Sequence, residues 1–90
     1  MNKTSKQILE NAIKTYGCIS QQNKMIEEMA ELTKAILKLR RGGDDPQLVG
    51  NVLEEMADVK IVLAQMEIMY GSPDEIVQQK VDRLAEELAA

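Results

Sequence analysis

Two short segments hold the residues from which chemistry is most readily built: Glu27-Glu28-Met29-Ala30-Glu31 and Glu54-Glu55-Met56-Ala57-Asp58. Each places two acids three residues apart, Glu28 with Glu31 and Glu55 with Asp58. On a helix that spacing projects both side chains from one face, about 5–6 Å apart, so each segment offers a pair of carboxylates able to clasp a hard cation. The sequence contains no histidine and one cysteine, Cys18. Imidazole is therefore excluded as base, nucleophile or ligand, and with it Ser-His and Cys-His chemistry and most zinc and di-iron sites. Oxygen-only ligands select Mg²⁺, with Mn²⁺ as a substitute, and Mg²⁺ retains waters and binds substrate phosphates. The expected substrate is a polyphosphate.

Acids on helices are ordinarily solvated, so their place on the helical wheel matters. Advancing about 100° per residue, Glu28 falls between Met25, Leu32, Ala35 and Leu39, inside the apolar sector. Glu55 falls among Leu48, Val59, Val62 and Met66, while Glu31 and Asp58 lie at the margins of the two stripes. An unpaired carboxylate in apolar surroundings costs several kcal/mol, so these groups require protons, basic partners or metal. Lys24, one turn before Glu28, and Lys60, near the third-helix acids, could supply a salt-bridge network without an ion. Metal accounts for all four acids together.

The elements that must position them read as four helices. Thr4 with Gln7 fits a capping box, followed by Ile8, Leu9, Ala12, Ile13 and Tyr16 at helical spacing up to Gly17. Ser20 is the expected cap of a second helix running to about Arg41, with Lys34, Lys38, Arg40 and Arg41 at its negative dipole end and Gly42-Gly43 as the stop. Asp45-Pro46 opens a third that continues to Tyr70, with Asn51 and Glu54 as a competing start. Ser72-Pro73-Asp74-Glu75 launches a last helix carrying Ile76, Val77, Val81, Leu84 and Leu88. No strand pattern competes, and short loops favour antiparallel neighbours. The expectation is one all-α domain over residues 1–90, a compact four-helix bundle.

A chain of 90 residues is marginal alone, and its aliphatic, Met-containing stripes predict completion by a second copy, as a homodimer or homotetramer. The net charge of −4, with lysines and arginines dispersed among acids, excludes polymer nucleic acid as a natural partner. A polar start and the lack of about 18 consecutive apolar residues predict no membrane partner and a cytoplasmic location. Cys18 is expected to be a buried structural residue.

Glu27-Glu28-x-x-Glu31, a gap of 23 residues, then Glu55-x-x-Asp58 resembles the EExxE…ExxD signature of the MazG-like all-α nucleoside triphosphate pyrophosphohydrolases. Tyr16-Gly17, Gln22, Lys24, Ala30 and Leu32 also run in an order similar to the approach to the first motif in small members, and the likeness covers most of the chain. The resemblance implies that Glu28, Glu31, Glu55 and Asp58 bind Mg²⁺, that Glu28 or Glu31 contacts the attacking water, and that Glu27 assists. It implies cleavage between the α and β phosphates to give nucleoside monophosphate and pyrophosphate, in a role such as nucleotide-pool housecleaning. Lys24, Lys80 and Arg83 are then candidates for the triphosphate, and Gln22 and Asn23 for a base or sugar edge. Tyr16 is expected to pack, with base stacking the alternative. Two other functions compete: a non-catalytic helical interaction module, and a nucleotide-binding regulator with little turnover.

Overall fold

A computed structural model describes all 90 residues, as four helices: α1 (Lys3–Tyr16), α2 (Cys18–Gly42), α3 (Pro46–Tyr70) and α4 (Asp74–Ala89). All four expected helices are present, but α1, α2 and α4 start differently from the expectation. At α1 the cap is Asn2, whose Oδ1 accepts from the Ser5 backbone N–H at 2.8 Å, rather than Thr4. At α2 the helix begins at Cys18 with no side-chain cap, so Ser20 lies inside its first turn. Gly17 makes this possible: with φ 89° and ψ 158° it occupies a region that only glycine enters readily, and α2 follows α1 after this single residue. Its N–H still reaches the Ile13 carbonyl and closes α1.

α3 begins as Asp45-Pro46 predicts, with Asp45 Oδ1 accepting from the Gln47 N–H at 2.9 Å, and the competing start at Asn51 is not used. At α4 the Ser72 hydroxyl accepts from the Asp74 N–H at 3.2 Å, while Pro73 precedes the first helical residue instead of occupying it.

α2 and α3, each of 25 residues, pair antiparallel along most of their length, and α1 packs on both. Leu9, Ala35 and Val62 are the buried apolar side chains, joined by two buried polar ones, Gln21 and Gln65. The bundle is not compact, because α4 packs against none of the other helices and buries no residue. Its apolar stripe is real, yet no surface of the chain faces it. Ile76, Val77, Val81, Leu84 and Leu88 are all exposed. No helix is long and apolar enough to cross a membrane.

Candidate metal centre and adjoining grooves

The antiparallel pairing brings the two acid segments face to face. One carboxylate oxygen from each of Glu28, Glu55 and Asp58 lies within 4.8 Å of the others. Glu28 and Glu55 are half-buried, as their positions within apolar sectors predict, and Asp58 is exposed at the margin. Glu31 stands outside this set: its Oε1 pairs with Lys34 Nζ at 3.3 Å. Its charge nevertheless reaches Glu55, whose pKa is raised above the ordinary 4.5 by partial burial first, then by Asp58, Glu28, Glu31 and Glu54 in that order. All four predicted ligands therefore share one electrostatic locale, and three share a potential first coordination sphere.

The available cations do not neutralise the cluster. Lys24 Nζ approaches Glu28 at 3.9 Å from a largely exposed position, and no ion pair links Lys60 to an acid. Net negative charge remains on three oxygens that converge from two helices. A divalent cation with oxygen preference fits such a donor set, completing its shell with water or phosphate oxygens.

Two grooves flank the acids. One, of about 230 Å³, is lined by Lys24, Glu28, Asp58, Ile61 and Val62. The other, of about 130 Å³, places Glu31 and Glu55 beside Lys34, Lys38 and Asn51. Beyond the first groove lies a larger cavity of about 380 Å³ where α1, α2 and α3 converge. Lys24, Ile61 and Val62 line both, so the cavity and the acid cluster are continuous.

The other candidates are placed unevenly. Lys24 lines both the cavity and the groove that holds Glu28 and Asp58. Gln22 does not line the cavity, and its Nε2 donates to the Tyr70 hydroxyl, joining α2 to the end of α3. Lys80 and Arg83 are carried on α4, which touches neither α2 nor α3, so this chain does not bring them to the acids. Tyr16 is not packed: it is 67% exposed and lines the cavity. Cys18 is likewise exposed rather than buried, because the helix starts at that residue and turns it outward.

Sequence reasoning missed Lys34 and Lys38, which follow Glu31 by three and seven residues and so share its face. Their spacing was a usable signal, obscured by an equally good reading as helix-dipole partners. Gln21 and Gln65 were missed because nothing local marks a buried glutamine. Set against protein-family models, curated proteins and solved structures, the chain matches none of them.

Proposed function

We propose that this chain is a Mg²⁺-dependent nucleoside triphosphate pyrophosphohydrolase of the MazG-like kind. The observation that carries the reading is the convergence of Glu28, Glu55 and Asp58 within 4.8 Å from the two motif segments, on a wall shared with a cavity large enough for a nucleoside. Glu28, Glu55 and Asp58 would hold the ion, which when bound would supply neutralisation of the charge developing on the phosphates, and Glu31 extends the negative field along α2. Lys24 meets the triphosphate on the cavity side, while Lys34 and Lys38 present cations on the far side of the acids, where the departing pyrophosphate is accommodated.

In the reaction a water oxygen bonds to the α phosphorus as the bond from that phosphorus to the bridging oxygen breaks. The bridging electrons leave with pyrophosphate, and the water's proton passes to a carboxylate, Glu28 or Glu31. Glu28 is better placed, since it lines the groove with Asp58 whereas Glu31 is engaged by Lys34. Hydrolysis in ¹⁸O-water followed by ³¹P NMR tests the bond assignment. Label in the nucleoside monophosphate with unlabelled pyrophosphate is expected; nucleoside diphosphate and orthophosphate as products would reject the reading.

The same proposal includes assembly with a second copy. A folded monomer of 10.1 kDa exposes about 5,300 Å², whereas this chain exposes 7150 Å². The difference, roughly 1,900 Å², is what one subunit contributes to an obligate homodimer interface. On α4, Val77, Val81, Leu84 and Leu88 follow the alternating four- and three-residue spacing of a coiled-coil seam, all of them at least half exposed. Joining a second copy gives that seam a partner and gives Lys80 and Arg83 a route to an acid site that their own chain denies them.

A further inference from the structure

Gln21 is 7% exposed and Gln65 4%, yet neither side chain hydrogen-bonds to any other group of the chain. A buried carboxamide left without partners is costly, and folded proteins seldom tolerate one. Here no buried side-chain nitrogen or oxygen is both sealed from solvent and unpartnered. The little surface these two glutamines keep therefore includes their amide ends, and both residues line the 380 Å³ cavity. Two amide groups, one from α2 and one from α3, offer unused donors and acceptors to that space.

The rest of the wall narrows the ligand. Ala12, Ile61 and Val62 supply apolar surface, Tyr16 brings an aromatic ring, and Lys24 stands where the cavity opens toward the acids. Apolar faces, an aromatic ring and carboxamides suit a flat heteroaromatic ring whose edge alternates donors and acceptors. A sugar offers hydroxyls but no such face, and an aliphatic ligand would leave the amides unpaired. The lysine and the acid cluster beyond it suit phosphates attached to that ring through a sugar.

We infer that Gln21 and Gln65 form a nucleobase-recognition site, reading the hydrogen-bonding edge of a nucleoside whose phosphates extend past Lys24 to the acids. This deepens the pyrophosphohydrolase reading and rests on it for the phosphates alone. A carboxamide presents its oxygen or its nitrogen by a half-turn of the terminal torsion, so the pair accommodates purine and pyrimidine edges alike. Broad base tolerance follows, without dependence on the metal.

The experiment titrates the full chain with adenosine, guanosine, cytidine and uridine, which lack phosphates, in EDTA, and follows side-chain NH₂ resonances by ¹H–¹⁵N NMR. The NH₂ pairs of Gln21 and Gln65 are expected to shift with each nucleoside and to stay in place with ribose. Gln21→Leu and Gln65→Leu should each weaken nucleoside affinity about tenfold, the scale of one lost hydrogen bond, with thermal stability retained or raised. Nucleosides that leave both NH₂ pairs unmoved, or Leu variants that bind as the native chain does, overturn the site. Nucleoside binding without pyrophosphate release would keep the base site and remove the hydrolase; pyrophosphate release with both NH₂ pairs silent would do the reverse.

Discussion

At the scale of single residues, Glu55 is the most informative group, because it feels every other acid of the site. Its raised pKa means that the folded chain holds a proton more tightly there than the unfolded chain does. The sign of the linkage follows: stability falls as pH rises from the ordinary carboxylate value through the folded pKa, and the loss is complete above it. Without divalent ion, thermal melts at increasing pH above about 4.5 should show this loss in the native chain and a flatter profile in Glu55→Gln. On the proposed reading Mg²⁺ would compensate the same repulsion, so it should raise the melting temperature near neutral pH and release protons on binding. At a hundredfold excess over its dissociation constant the gain is about 2.7 kcal/mol. Melts unchanged by Mg²⁺ at any pH would remove the metal site. The acids were legible in sequence because each interrupts an apolar stripe at i,i+3 spacing. Glu31's separation from the Glu28, Glu55 and Asp58 cluster was not, since its pairing with Lys34 depends on rotamers that spacing does not determine.

At the scale of elements, two glycines separate backbone need from helix propensity. Gly17 joins α1 to α2 at φ 89°, and although a Cβ there would meet no atom within 4 Å, the conformation itself excludes a side chain. Gly17→Ala should destabilise by roughly 1–3 kcal/mol in denaturant unfolding. Gly50 lies within α3 in open space, and Gly50→Ala should stabilise by about 0.5–1 kcal/mol in the same assay. Helix existence and most ends were readable from glycines and from Asp45-Pro46. The start of α2 was not: Ser20 has good capping chemistry, but a positive-φ glycine lets the helix begin three residues earlier, without a side-chain cap. Helix α1 also contributes to the cavity, since Ala12 and Tyr16 line it together with Gln21 and Gln65.

At the scale of the whole molecule, the four expected helices form but do not close into the expected compact bundle, because α4 packs on none of the others. A stripe such as Val77–Leu88 specifies that a face will be covered and is silent on whether the cover belongs to the same chain. With α4 unpacked and five residues buried, the isolated subunit has little core, so assembly and stability should be coupled. Leu84→Asp should shift the chain toward monomer in light scattering and lower its melting temperature, while the exposed Glu86→Gln should do neither. A monomeric native chain at micromolar concentration would contradict the assembly.

On the proposed reading, one acid cluster fed by both long helices performs metal-dependent cleavage of nucleoside triphosphates. Its most direct test is pyrophosphate release from a panel of ribo- and deoxyribonucleoside triphosphates, with Mg²⁺ or EDTA, for the native chain, Glu28→Gln and Asp58→Asn. Release is expected to require Mg²⁺ and to fall roughly 10²–10⁴-fold in each variant, the range associated with losing a positioned carboxylate. No pyrophosphate from any triphosphate, or release indifferent to EDTA and to both substitutions, would contradict it.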